Sequence, residues 1–156
     1  MTFTVIYFDN NATTMLDPRV LDAMLPYLRE QYANPSSVHH FGQQARHAVE
    51  TAREQIATVL GAVPRQIVFT SGGTEANALA IRGALAVRPA RRRVVTTAVE
   101  HDSVLRLAEQ LAAEGYDVSY LSVDRLGRLD PAEVEAALTG DPALISVMHA
   151  NNETGG

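Results

Sequence analysis

Residues 66–97 read QIVFTSGGTEANALAIRGALAVRPARRRVVTT. This stretch predicts a short apolar strand over 66–70, a glycine turn, a helix from Glu75 to about Ala86, and a second strand over 93–97. The pattern continues downstream. A helix runs from about Asp102 to Glu114 and stops near Gly115, and a third strand covers Val118 to Val123. Asp130-Pro131 opens a further helix carrying Val134 and Leu138, and Leu144 to Met148 is the fourth strand. Strands that alternate with helices in this way form a mostly parallel sheet covered by helices, the α/β class. The strands are continuous apolar runs, which fits burial on both faces.

Upstream the reading is helical. Tyr7 and Phe8 lead into the polar loop of Asp9 to Thr14, and Asp17-Pro18 marks a helix start. Val20, Leu21, Met24, Leu25 and Leu28 share one face of that helix, and Pro26 is expected to bend it or end it early. After the loop Ala33 to Ser37, with Ser37 as the expected cap, a long helix from about Val38 to Leu60 is expected to bury Ala45, Val49, Ala52, Ile56, Val59 and Leu60. Gly61 closes it. Residues 1–15 read as an N-terminal segment and 16–156 as one incomplete α/β domain. The last strand ends only a few residues before Gly156, which points to truncation, because parallel sheets carry their functional residues at such strand ends.

Composition narrows the function classes. The chain has 156 residues, 46% hydrophobic and 20% charged, as in an ordinary globular domain. No apolar run is long enough to cross a bilayer, and the start MTFTVIYFDNN lacks the form of a secretory signal, so a cytoplasmic location is the default expectation. A net charge of −5 argues against general nucleic-acid binding, and Arg91-Arg92-Arg93 reads as a solvated turn. Cysteine is absent, which removes disulfides, thiolate metal sites and cysteine nucleophiles. Lysine is absent too: all 13 basic residues are Arg.

The strongest chemical signal is Thr70-Ser71-Gly72-Gly73-Thr74-Glu75-Ala76-Asn77, between a strand and a helix. Two glycines let the backbone turn tightly and present successive N–H groups, and the positive end of the helix dipole adds to them, which suits a phosphate. Ser71 and Thr74 offer hydroxyl donors. Taken alone, the two glycines read first as a turn with a Ser/Thr cap. Neither GxxxxGK[ST] nor GxGxxG occurs here, so the stretch is no P-loop and no dinucleotide fingerprint. A cofactor monoester such as pyridoxal phosphate fits what remains. His101 follows the strand RVVTT at its carboxyl end, where an imidazole could stack on an aromatic ring and move protons, with a capping or surface residue as the alternative. His149, Asn151, Asn152 and Glu153 hold the matching place after the last strand, with a plain turn as the alternative. His39, His40 and His47 have no metal-ligand spacing, so no metal is expected.

Together these blocks carry a family resemblance. Tyr7 to Thr14 (YFDNNATT), Asn34-Pro35-Ser36-Ser37 with His39 and Gly42, Thr70 to Asn77 (TSGGTEAN), Glu100-His101 and His149 to Gly155 (HANNETG) resemble the cysteine desulfurases, in the family's order and over nearly the whole chain. The resemblance implies the large domain of a fold-type I, class V aminotransferase-like enzyme that uses pyridoxal 5'-phosphate and works as a homodimer. Such enzymes take sulfur from L-cysteine, release L-alanine, and pass the sulfur as a persulfide to an acceptor or scaffold protein for iron–sulfur clusters or tRNA thiolation. By motif, Gly73 and Thr74 would hold the cofactor phosphate, His101 would stack on its ring and shuttle protons, and Asn152 would reach its ring oxygen. Asn11, Ala12 and Asn34 would lie towards the substrate.

The family's Schiff-base Lys, persulfide Cys, ring-nitrogen Asp, ring-oxygen Gln and substrate-carboxylate Arg all fall after Asn152 and have no counterpart in these residues. Gly156 stands where the family has an aliphatic residue. The expectation is a desulfurase fragment inactive by itself. Alternatives are another class V enzyme (an aminotransferase or selenocysteine lyase), a split enzyme completed by a second chain, or a non-catalytic module that binds a phosphate ligand or a partner.

Overall fold

The computed structural model describes residues 6–155, so Gly156 lies outside the described residues. The chain divides into two compact units, residues 1–69 and 70–156.

The first unit is built on two helices, α1 (Pro18–Arg29) and α2 (His40–Leu60). Asp17 caps α1 through its carboxylate, which accepts from Arg19 N at 2.8 Å. The helix runs past Pro26 to Arg29, and closes where Glu30 N and Gln31 N both donate to the Pro26 carbonyl. A proline this near the end deletes one N–H without leaving much helix to break. The cap of α2 is His39, not Ser37: its Nδ1 accepts from Gly42 N at 3.3 Å. Gly61, at φ 63°, closes α2 in the left-handed conformation. The core expected of α2 is only partly present. Of the expected residues Ala45 is buried, whereas Val59 and Leu60 are 85% and 67% exposed and Val49 and Ile56 are exposed as well; Ala57, outside the expected set, is buried. Periodicity finds an apolar face but not what covers it.

A 3-10 turn, Pro64–Gln66, precedes residues 67–70, where the expected first strand fails to appear. The backbone at Ile67 is extended (φ −92°, ψ 126°), but no described strand pairs with this segment, and Val68 and Phe69 are exposed. An apolar, extended run becomes a strand only when a ladder partner takes its N–H and C=O groups.

The second unit contains α3 (Gly73–Ala86), β1 (Arg93–Thr97), α4 (Asp102–Ala113), β2 (Asp117–Leu121), α5 (Pro131–Leu138) and β3 (Leu144–Ile145). The helices start where capping chemistry allows. Asp130 accepts from Ala132 N ahead of Pro131, and His101 caps α4. The three strands form a parallel sheet in the order β2-β1-β3, with Val94 opposite Val118 on one side and Leu144 on the other. The α/β class is as expected, with three described strands in place of four and β3 cut to two residues.

β1 is central, and Val94, Val95, Thr96 and Thr97 are all buried, so its apolar run reflects cover on both faces. Ile81 and Leu85 of α3, Val104, Leu107 and Leu111 of α4, Val94 and Ala143 make one cluster, with Ala78, Tyr116, Val118 and Leu144 packed on it. At the far end from the glycine turn, Arg82 of α3 holds the Glu114 carboxylate with both guanidinium nitrogens, at 2.7 and 3.0 Å.

Candidate functional site

The topology of the second unit itself creates a crevice. β1 connects to β2 on one side, and the chain then returns across β1 to place β3 on the other. The loops after β1 and β3 therefore lie side by side at the carboxyl end of the sheet, the position where parallel sheets bind ligands. α3 precedes β1 and packs on α4. Its 14 residues span roughly 21 Å, comparable with the length of β1, so the helix start returns to the carboxyl end of the sheet.

Three hydrogen-bond links join these elements. Asn77, one turn into α3, donates from Nδ2 to Ser103 Oγ of α4 at 2.8 Å. Glu100 is buried, and its Oε1 accepts from Met148 N at 2.7 Å and from Thr97 Oγ1 at 3.0 Å. Asn151 donates from Nδ2 to the Val99 carbonyl at 2.9 Å. The Glu100–Met148 and Asn151–Val99 bonds join the same pair of loops, 98–101 and 146–151, the donor lying on 146–151 in each. The start of α3, the His101 loop and the loop after β3 are thus held as one constellation.

At the start of α3 no side chain caps the helix. The first N–H groups of a helix have no partner within it, and here they face a glycine pair. A Cβ added at Gly72 or Gly73 would meet nothing within 4 Å, so the turn opens onto free space. Thr74 is exposed beside it. Ser71 is engaged differently from the sequence-based expectation: its N–H and hydroxyl both donate to Glu75 Oε2, at 2.6 and 2.7 Å. These bonds, the side-chain one first, hold the Glu75 carboxyl below the usual carboxylate range. The N–H groups of Gly73 and Thr74, by contrast, take no side-chain cap.

His101 is exposed, and its ring orientation follows from its capping bond. Asn152 is exposed and donates to Glu153 Oε1 at 2.6 Å. Its neighbour Asn151 is a structural hub, because its Oδ1 also accepts from Glu153 N and Thr154 N at 2.9 Å. His149 is exposed. Sequence reasoning passed over Glu100, Asn77 and Ser103. The first two stood inside quoted motifs, but burial and partner are properties of the fold.

Asn11 and Asn34 belong to the first unit. Asn34 Oδ1 accepts from Ser36 N at 2.8 Å, which fixes the turn into Ser37. A recess lies in that unit, lined by Tyr27, Tyr32, His47 and Phe69 among others, and none of Gly73, Thr74, His101 or Asn152 borders it. No cluster of three or more metal-ligating side chains occurs among the described residues, and no described helix is long and apolar enough to cross a membrane.

Comparison with known proteins places the chain in a family. The family model for aminotransferase class-V matches residues 6–156. Cysteine desulfurase 2 of Trichormus variabilis is 57% identical over 152 residues, covering 97% of this chain and 38% of that protein. A solved NifS-like protein superposes with a TM-score of 0.88 at 41% identity, over 95% of this chain and 41% of its own. A structure of SspA in complex with cysteine gives 0.83 at 39% identity, over 94% of this chain and 43% of its own. The chain spans 38% of the length of the curated relative it matches.

Proposed function

The chain belongs to the class-V aminotransferase family, and from that premise we propose that it is the amino-terminal part of a cysteine desulfurase dependent on pyridoxal 5'-phosphate. One observation carries this reading: an uncapped helix start with an open glycine turn, tied by Asn77 to the loop that presents His101. The donor set fits a phosphate monoester. It offers backbone N–H groups, a hydroxyl and a helix dipole, with no lysine and no metal-binding carboxylates.

When bound, the cofactor supplies an electron sink for chemistry at the substrate amino acid. The residues of this chain do the rest of what is proposed here. Gly73 and Thr74 hold the phosphate. His101 lies against the ring and moves a proton at Nε2. Asn152 hydrogen-bonds the ring oxygen, and a substrate role for Asn11 and Asn34 rests on the resemblance of their motifs alone. The substrate is L-cysteine, a choice supported by the structural neighbour solved with cysteine. The products are L-alanine and sulfur handed on as a persulfide to an acceptor or scaffold protein for iron–sulfur cluster assembly or tRNA thiolation. The complete enzyme is a cytoplasmic homodimer, with residues 16–156 in its cofactor-binding domain.

These 156 residues contain neither Lys nor Cys, so they are expected to release no alanine from L-cysteine above the protein-free rate. Binding is separable from turnover. Titrating the chain with pyridoxal 5'-phosphate should shift the amide NMR signals of Gly73 and Thr74 saturably, and inorganic phosphate should compete for the same amides. Signals that stay in place, or that move only elsewhere in the chain, would overturn the assignment.

A further inference from the structure

His101 Nδ1 receives two neighbours from one residue. Ser103 N lies 3.1 Å from it and Ser103 Oγ 2.9 Å. A backbone N–H can only donate, so Nδ1 must be the acceptor, and the neutral ring carries its proton on Nε2. Ser103 Oγ in turn accepts from Asn77 Nδ2 at 2.8 Å. With a lone pair filled from that side, the hydroxyl proton is free to point at Nδ1. The bonds thus run in one direction, from Asn77 to Ser103 to His101. Ser103 is 8% exposed, which shields the relay from exchange with solvent. The exposed ring then presents Nε2–H outward.

We propose that Ser103 and Asn77 are positioning residues that fix the tautomer and plane of His101, so that the site receives an imidazole that donates from Nε2. The tautomer stands on the geometry alone, whereas its use towards a pyridine ring rests on the function proposed above. The relay also gives Asn77 a place in the machinery. It sits one turn beyond Thr74 on α3, so one side chain joins the helix that offers the anion cradle to the helix that His101 caps. A shift of α3 on α4 would break the bond that directs the Ser103 proton.

The test uses the cofactor-free chain, with imidazole nitrogens observed by long-range ¹H–¹⁵N correlation at a pH where the ring is neutral. Wild-type His101 should show an unprotonated, hydrogen-bonded Nδ1 and a protonated Nε2. Ser103→Ala should move the Nδ1 signal towards that of an unbonded ring nitrogen. Asn77→Asp, which keeps the shape but draws the hydroxyl proton to itself, should move it the same way. Ser103→Thr should restore the wild-type position, which a general loss of stability would not do. A proton on Nδ1 in the wild type, or an Nδ1 signal indifferent to Ser103→Ala, would overturn the proposal. Because no cofactor is present, a failed pyridoxal phosphate titration leaves this result intact, and a wrong tautomer leaves the titration intact.

Discussion

At the residue scale, Glu100 and Thr96 show two opposite fates of a buried polar group. Glu100 is satisfied and binds two loops together; Thr96 Oγ1 is buried with no hydrogen-bond partner among the described residues. Removing a satisfied charged acceptor leaves its donors stranded, whereas removing an unsatisfied hydroxyl relieves a desolvation cost. Glu100→Ala is therefore expected to lower stability by about 2 kcal/mol and to speed amide exchange at Met148, and Glu100→Gln, which keeps an acceptor, to cost less. Thr96→Val should instead raise stability by about 1 kcal/mol. Urea denaturation reads all three. Glu75 supplies a pH dependence. Its folded carboxyl sits below the ordinary glutamate range, so its contribution is complete above that range and is lost as pH falls through the folded value. Glu75→Gln should flatten the acid limb of a stability profile. The sequence displayed the types Gly73, Thr74, His101 and Asn152 openly, since glycine turns at helix starts and polar residues after strands are few. It hid Glu100, whose importance lies in a partner forty-eight positions away.

At the scale of elements, helices were read well and the first strand was not. Capping signals are local: Asp17-Pro18 and Asp130-Pro131 announce helix starts that the structure keeps. A histidine announces nothing, because its capping nitrogen is also a surface group, and so His39 was missed while Ser37 was expected. Strand pairing is non-local, and the extended run of 67–70 finds no ladder among the described residues. Gly42 tests the fit of the loop before α2. A Cβ there would run into Ser37 O and meet Asn34 O at 2.9 Å, both backbone atoms. Gly42→Ala should cost about 1–3 kcal/mol through displacement of that loop, despite the better helix propensity of alanine. A thermal melt would show the loss, and a variant as stable as wild type would mean the loop yields freely.

For the whole molecule, the class was legible because alternation and continuous apolar strands both reflect a covered parallel sheet. The extent of burial was not. Val20, Leu21, Met24 and Leu28 of α1 are exposed together with Val59 and Leu60 of α2, although their spacing reads as a core face. Periodicity reports that a face wants cover and is silent on who supplies it. Exposed apolar side chains in such number promote association. Sedimentation should therefore show the chain self-associating as its concentration rises, and Leu28→Glu, at a position 66% exposed, should weaken that association without lowering the melting temperature. A monomer at every concentration would mean that these side chains cover one another in solution.

The strand order has a consequence for the history of each molecule. β1 leaves the ribosome before either neighbour exists: Val94 must wait for Val118 on one side and for Leu144 on the other. Nearer partners close at lower entropic cost, so α4 and β2 settle against β1 first, and the loop of 98–101 stays untied until Met148 and Asn151 arrive. The crevice is the last part of this unit to be born, and a chain that stalls before β3 carries His101 held by Ser103 but facing no second wall.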